Sequence, residues 1–150
     1  MSGWFVTSTD LKTLVRGFFE EASKGKAVAF AAIDKLFVAD YVEHGGYGEA
    51  TRGIKNYKHA MDEFYSAVPD VHVTVNDMVV EGDKVAVRFA LSGTHKGEFA
   101  GAQPTGKKVT IEEIGIIRIA GGKFVESWMR YDTLDFMQQL GLAPTSEKKT

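Results

Sequence analysis

The chain contains no cysteine, only four histidines and no long apolar run. Without cysteine no disulfide can hold the fold and no thiol can do chemistry, which fits a reducing cytoplasm. No apolar stretch approaches the roughly 20 residues of a transmembrane helix. Residues 1–10 lack a basic segment followed by an apolar one, so we expect no secretion signal.

Excess positive charge is also missing. The formal net charge is -2, which argues against a nucleic acid or an anionic membrane as partner. The four histidines are scattered, with no His-x-His or His-Glu-x-x-His spacing, so the sequence predicts no metal site.

What is present fits one globular domain. A length of 150 residues and an apolar fraction of 44% allow a sizeable core. We expect a single domain over residues 1–150, with its core at about 10–142 and a polar tail at 146–150.

The first half of the chain has helical periodicity. Apolar residues recur at helical spacing over 10–23, where Thr9 or Asp10 can cap the start. Two further helices are predicted at 27–37 and about 54–68. The glycine-rich stretch 38–53 between them is predicted to be a loop.

The second half alternates with a period of two. Strands are predicted from Val71 onward, with hairpin turns at 81–84 and 120–123, and a short helix closes the chain at 134–140. Three helices followed by long strands predict an α+β fold. We expect a curved, mainly antiparallel sheet with the helices on its concave side, enclosing a cavity.

The last strand carries the densest group of polar side chains. Without a bulge, Glu126, Trp128, Arg130 and Asp132 fall on one face. Such a row suits the wall of a pocket that holds an acid or base beside an apolar substrate. Glu126 and Arg130 could hold a substrate oxygen and orient Asp132, although for these two alone an ion pair on a solvated sheet is favoured. Trp128 argues against a purely solvated face.

Three residues are candidates for acid/base chemistry. Aromatic neighbours would raise the pKa of Asp132 and make it a useful base. An equally good interpretation is that Asp132 caps the helix that follows. His44 could act as base or donor, or be an ordinary loop histidine. The strand alternation places His95 on the inward face, where it could take part in acid/base chemistry. A purely structural role is an equally good interpretation.

Several short motifs together resemble one family, the SnoaL-like polyketide cyclases of the nuclear transport factor 2-like superfamily. The resemblance covers roughly residues 10–142 and implies a cystatin-like cone with a central cavity, no cofactor and a homodimer or tetramer formed through the sheet. The motifs are Tyr41-Val42-Glu43-His44, Pro69-Asp70, Glu81-Gly82-Asp83-x-Val85-x-x-Arg88, Gly93-Thr94-His95-x-Gly97, Pro104-Thr105-Gly106-Lys107, Gly122-Lys123-x-x-Glu126-x-Trp128-x-x-x-Asp132 and Gln139-Leu140-Gly141.

The resemblance also implies a chemistry. Founding members of the family close a polyketide ring by an intramolecular aldol reaction, with an essential Asp matched here by Asp132. Their helper histidine on the preceding strand is missing from the segment 109–116. His44 lies where ketosteroid isomerases of the superfamily carry their base.

Two classes of function follow. One is a cofactor-free cyclase or isomerase acting on a small apolar or aromatic carbonyl compound. The other is a noncatalytic domain that binds such a molecule. In either case we expect the catalytic or binding residues Asp132, His44, His95, Trp128, Glu126, Arg130, Tyr41, Met61 and Phe64 at the cavity.

Overall fold

A computed structural model describes residues 6–45 and 49–146. It confirms the α+β class. None of the helices in this described part is long and apolar enough to cross a membrane. The elements are α1 (Ser8–Ala22), α2 (Lys26–Leu36), β1 (Phe37–His44), β2 (Thr51–Arg52), α3 (Ile54–Ala67), β3 (His72–Glu81), β4 (Lys84–Thr94), β5 (Lys108–Ala120), β6 (Lys123–Tyr131) and α4 (Thr133–Gln139).

The first helix begins earlier than the sequence predicts. The Thr7 hydroxyl accepts a hydrogen bond from the Asp10 N–H at 3.1 Å, and the Asp10 carboxylate accepts one from the Thr7 N–H at 2.9 Å. This reciprocal pair is a capping box, so Thr7 is the cap rather than Thr9 or Asp10. The buried residues of α1 are Leu11, Val15, Phe18, Phe19 and Ala22.

A six-stranded sheet forms the other layer, with the order β2-β1-β6-β5-β4-β3. All neighbouring strands are antiparallel except β1 and β6, which run parallel. Both predicted hairpin turns are present, at Gly82 and at Gly121-Gly122. These three glycines have φ angles of 59°, 59° and 74°. Positive φ angles carry a lower conformational energy for glycine than for other residues.

The segment predicted as a loop is partly strand. Residues 37–44 form β1 and residues 51–52 form β2, while residues 46–48 lie outside the described part. The cluster of glycines obscured a strand whose inward side chains include Phe37, Tyr41 and Glu43. Two helices therefore precede β1 and the third follows β2, so the expectation of three helices ahead of all strands is not confirmed. The predicted tail is described only at Ser146.

Aromatic rings join the helices to the inner face of the sheet. The rings of Phe37 and Phe124 stack with centroids 4.7 Å apart, and Phe18 lies 5.0 Å from Phe37. All three side chains are buried. Truncating such a residue to alanine typically costs about 3–5 kcal/mol, so this cluster is a main source of stability.

A bulge near the start of β6 decides which side chains face inward. Phe124 pairs with Ile119 of β5, but Glu126 already pairs with Arg118, so Val125 is an extra residue on β6. A one-residue insertion turns every later side chain to the opposite face. Phe124 and Ser127 are consequently both buried although they are three residues apart.

Candidate functional site

An interior pocket of about 490 Å³ lies between the helices and the inner face of the sheet. This volume is within the usual range of small-molecule sites. Its walls are mostly aromatic and aliphatic, with a few carboxyl and phenol groups. Representative wall residues are Phe37, Tyr57, Phe64, Phe89, Ile117 and Phe136.

Two carboxyl groups project into this pocket. Glu43 comes from β1 and Glu113 from β5. The pKa of each is raised from 4.5 to about 7, mainly by burial, and for Glu113 the negative charge of Glu43 contributes to the rise. Both groups therefore titrate close to neutral pH, where an acid or base in a protein is most useful.

The Glu43 carboxyl is held by a short hydrogen-bonded chain. A hydrogen bond from the Ser127 hydroxyl partly offsets the rise in the pKa of Glu43. The Ser127 oxygen also lies 2.6 Å from the Tyr41 phenol oxygen. The chain favours the ionised form of Glu43.

The phenols around these carboxyls stay protonated. Burial raises the pKa of both Tyr41 and Tyr57 well above 10, and the nearby charge of Glu43 adds to the effect. Burial also raises the pKa of Tyr65 to about 12, and its hydroxyl donates to the Ala22 carbonyl at 2.6 Å. The phenols are hydrogen-bond donors at neutral pH.

Three of the predicted binding residues line this pocket: Tyr41 on β1, and Met61 and Phe64 on α3. Helix facing was sufficient to place Met61 and Phe64.

The predicted positions of Glu126, Trp128 and Arg130 in the cavity wall are wrong. These residues do share a face, as strand parity predicts, but the bulge at Val125 turns that face outward. Trp128 is 36% exposed. Arg130 donates to the carbonyls of His44 and Met129, at 3.1 and 2.6 Å. The residues of β6 that do line the pocket are Phe124, Met129 and Tyr131.

The predicted cavity position of His44 is also wrong, because His44 follows the inward-facing Glu43 on β1 and therefore faces outward. His44 pairs with Trp128 in the parallel β1–β6 ladder, and its ring stacks on the indole with centroids 5.4 Å apart. Its Nε2 lies 2.7 Å from Glu126 Oε1. This contact, together with Arg118 at 3.4 Å, lowers the pKa of Glu126.

Asp132 and His95 also lie outside the pocket lining. Asp132 is exposed and caps α4, where its Oδ1 accepts from the Asp135 N–H at 3.0 Å. His95 is fully buried, and its Nδ1 accepts from the Thr105 N–H at 3.3 Å. Its Nε2 has no hydrogen-bond partner among residues 6–45 and 49–146. The cavity position predicted for Asp132 is wrong, while His95 faces inward as its parity predicts but does not line the pocket. The part of either residue in any reaction stays a prediction.

Sequence reasoning missed Glu43 and Glu113. A usable signal existed for Glu113, which is the one charged residue in the buried alternation of Ile111, Gly115 and Ile117 on β5. Glu43 continues the inward parity of Phe37 and Tyr41, but β1 was not recognised as a strand. A search for an acidic residue among otherwise apolar inward-facing strand positions would have identified both residues.

The outer face of the sheet carries a continuous row of cross-strand neighbours, which we call the outer stripe: Val79, Ala86, Ile116, Trp128 and His44. Within it, Val79 is 62% exposed and Ile116 is 41% exposed. Rows that contain charged residues border the stripe on both sides, Glu81-Lys84-Arg118-Glu126 on one and Asp77-Arg88-Ile114-Arg130 on the other, and the second row is interrupted by Ile114, which is 58% exposed.

No group of three or more metal-ligating side chains occurs within the described residues. The pocket groups suited to chemistry are the carboxyls of Glu43 and Glu113 and the Tyr41 phenol, and Ser127 contacts Tyr41 from outside the lining. These groups can take a proton from a carbon acid and donate hydrogen bonds to an oxygen.

Comparison with known proteins gives a consistent result. The family model described as SnoaL-like polyketide cyclase matches residues 13–140. AclR of Streptomyces galilaeus, a proposed hydroxylase, is 26% identical, with a TM-score of 0.83 over 95% of this chain and 91% of AclR. IdmH of Streptomyces antibioticus, a proposed polyketide cyclase, is 28% identical, with a TM-score of 0.72 over 87% and 97% of the two chains.

A proposed SnoaL-like polyketide cyclase from Jannaschia sp. is 22% identical, with a TM-score of 0.81 over 97% of this chain and 99% of its own. At this identity the likeness supports the fold alone. None of the curated proteins compared with this chain matches it significantly.

Proposed function

Because this chain belongs to the SnoaL-like polyketide cyclase family, we propose that it is a cofactor-free acid/base enzyme that acts on a small apolar or aromatic carbonyl compound in the interior pocket. The observation that carries this proposal is the pair Glu43 and Glu113, two carboxyls in an apolar pocket with pKa values of about 7.

Glu43 is the proposed base. The Ser127 hydroxyl supports its ionised form, and its raised pKa gives it more basicity than an exposed carboxylate. In the proposed step a Glu43 oxygen takes a proton from the carbon next to the substrate carbonyl. The electron pair of that C–H bond then forms the C=C bond of an enolate, with the negative charge on the former carbonyl oxygen.

Glu113 is the proposed acid. The negative charge of Glu43 disfavours ionisation of Glu113, so at neutral pH one proton remains on Glu113 while Glu43 acts. Two carboxyls whose surroundings differ in this way divide the roles of acid and base. The Glu113 O–H would donate a hydrogen bond to the enolate oxygen, where negative charge develops.

The enolate can then react in two ways. Return of the proton from Glu43 to a different carbon gives an isomerase. Attack of the enolate carbon on a second carbonyl of the same molecule forms a C–C bond, and the resulting alkoxide takes a proton from a carboxyl, which gives a cyclase. A pocket of about 490 Å³ has room for a molecule of two or three fused rings.

Asp132 is a second candidate for the base. It is supported by the resemblance to the founding cyclases, in which an Asp at the matching position is essential. Its exposed position at the cap of α4 favours Glu43 instead, and the comparison of the two variants below separates the candidates.

Hydrogen–deuterium exchange on a surrogate ketone tests the proposal. The probe is 2-tetralone, an apolar bicyclic ketone, whose exchange at the carbon next to the carbonyl is followed by proton NMR in D₂O. We expect exchange that depends on the protein. Glu43→Gln should slow it by about two to four powers of ten, the usual scale for a positioned base. The rate should be highest near pH 7, where Glu43 can be ionised while Glu113 is protonated.

The matched control is Glu112→Gln. Glu112 neighbours Glu113 on β5 but is exposed on the opposite face, so this change should leave exchange unaltered. Protein-dependent exchange that survives Glu43→Gln would refute Glu43 as the base. Binding of 2-tetralone without any exchange would favour the alternative function, a noncatalytic domain that holds a small molecule.

A second copy of this chain is the proposed protein partner. The outer stripe is an apolar row between rows that contain charges of both signs, a pattern suited to a two-fold contact in which like surfaces meet. The complete lack of cysteine supports action in the cytoplasm.

A further inference from the structure

The ionisable groups of the interior pocket share one sign. The charged residues that line it are Glu43, Glu49, Glu63 and Glu113, and no Lys, Arg or His of residues 6–45 and 49–146 is among them. Glu49 and Glu63 are exposed, so they lie on the solvent side of the pocket. Glu43 and Glu113 are the inner pair.

The inner pair lacks a protein counter-ion. Within the described part of the chain, no Lys, Arg or His forms an ion pair with Glu43 or Glu113. Buried carboxylates are usually paired with a cation. Whenever Glu43 or Glu113 is ionised, the pocket therefore holds a negative charge with no ion-paired Lys, Arg or His of the described residues beside it.

The nearby positive charges are used elsewhere. Lys58 of α3 pairs with Asp34 and Lys26 with Asp62. His59 lies 3.8 Å from Glu63, but both side chains are mostly exposed and the contact is long. None of these three residues forms an ion pair with Glu43 or Glu113.

Aromatic rings of the pocket wall pack against one another. Tyr57 stacks on Phe37 with centroids 5.5 Å apart and meets the edge of Tyr41 at 5.1 Å. All three rings line the pocket. Phe37 also stacks on Phe124 at 4.7 Å, so these rings form an apolar wall suited to the body of a ligand.

We propose that the ligand of this pocket carries a protonated amine on an apolar, ring-sized body, and that the pocket rejects carboxylates. The inference deepens the proposed function and rests on it for the pocket as the working site. An ammonium group would supply the counter-ion that the ionised form of the Glu43–Glu113 pair lacks, and the ring walls would bury the rest of the molecule.

The test uses three probes of one shape. They are 2-aminotetralin, which is cationic at neutral pH, 2-tetralone, which is neutral, and tetrahydro-2-naphthoic acid, which is anionic. Their affinities are measured by isothermal titration calorimetry at pH 8. We expect the amine to bind at least tenfold more tightly than the ketone, and the acid to bind at least tenfold more weakly than the ketone.

Variants and pH connect the selectivity to the inner pair. Glu113→Gln should reduce the preference for the amine by about tenfold, while Glu112→Gln should leave it unchanged. The affinity for the amine should rise from pH 6 to pH 8, because Glu43 and Glu113 ionise in that range. Circular dichroism confirms that each variant is folded.

The outcomes separate this inference from the proposed function. Exchange of 2-tetralone with no preference for the amine, or with tight binding of the acid, overturns the inference and leaves the enzyme proposal standing. Preference for the amine without exchange supports the inference and contradicts the enzyme proposal. Failure of the amine to bind also overturns the inference.

Discussion

The Ser127 hydroxyl joins Tyr41 of the neighbouring strand to the Glu43 carboxyl. Glu43 and Ser127 are direct partners in the parallel ladder between β1 and β6, and the Tyr41 and Ser127 oxygens are 2.6 Å apart. The contact exists because the bulge at Val125 turns Ser127 inward. The irregularity of β6 therefore builds the environment of the proposed base.

Ser127→Ala should weaken the proposed base in a specific way. Loss of the hydrogen bond that favours the Glu43 anion raises the pKa of Glu43 further, so the rise of 2-tetralone exchange with pH should move to higher pH. The buried Tyr41 hydroxyl loses its partner, which should lower the free energy of unfolding by about 1–3 kcal/mol. A pH–rate profile and urea unfolding measure the two effects.

The control for this change is Ser66→Ala, on the exposed face of α3. It should alter neither the pH profile nor the unfolding curve. An unchanged pH profile in Ser127→Ala would show that Ser127 does not act on Glu43.

Glu113→Gln should stabilise the protein at high pH. The pKa of Glu113 is about 7 in the folded protein, against 4.5 for an exposed Glu. Between these values the unfolded chain releases a proton that the folded chain keeps, so the free energy of unfolding falls as pH rises. At about 1.4 kcal/mol per pH unit, the loss at pH 8 is on the order of 3 kcal/mol.

Because Gln has no ionisable carboxyl, Glu113→Gln removes this pH dependence of the free energy of unfolding. Urea unfolding at pH 5 and at pH 8 should show near-equal stability of wild type and Glu113→Gln at pH 5, and a more stable variant at pH 8. Glu112→Gln should follow the wild type at both. A Glu113→Gln variant that is less stable than wild type at pH 8 would contradict the assigned environment of Glu113.

Regular patterns in the sequence were sufficient for much of the fold. The apolar periodicity of α1 and α3, and the glycines at residues 82 and 121–122, located helices and hairpins because these signals are local. They also placed Met61 and Phe64 at the pocket.

The site itself depends on features that the alternation of apolar and polar residues in the sequence does not reveal. The bulge at Val125 changes the facing of Glu126, Trp128 and Arg130, and a bulge arises from pairing with a distant strand rather than from local composition. β1 was missed because its polar residues and the following glycines resemble a loop. The partners of Glu43 are therefore visible only in three dimensions.

Asp132→Asn distinguishes the two candidate bases. Because Asn caps a helix nearly as well as Asp, this variant should unfold at the same urea concentration as wild type, whereas Asp132→Ala should cost about 1 kcal/mol. We expect Asp132→Asn to keep 2-tetralone exchange within about twofold of wild type. A large loss of exchange in Asp132→Asn, with Glu43→Gln fully active, would make Asp132 the base.

The outer stripe provides the last prediction, which concerns association. Ile116 and Trp128 are paired neighbours at its centre, and no described helix packs over them, as their exposures of 41% and 36% show. A stable interface between copies buries roughly 1,200–2,000 Å² in total, which a contact between two sheet faces can supply. Size-exclusion chromatography with light scattering should give a mass twice the 16.5 kDa of one chain.

Ile116→Glu should convert this dimer to a monomer. It places a carboxylate at the centre of the contact, where each copy would face the same charge from its partner and neither charge could be hydrated. Leu134→Glu is the matched control, since Leu134 is 62% exposed on α4, away from the stripe. Unfolding by urea shows whether the monomeric variant is still folded. A wild-type monomer, or a dimer that Ile116→Glu leaves intact, would rule out the outer stripe as the interface, while a dimer lost only in Ile116→Glu would locate the interface on this face of the sheet.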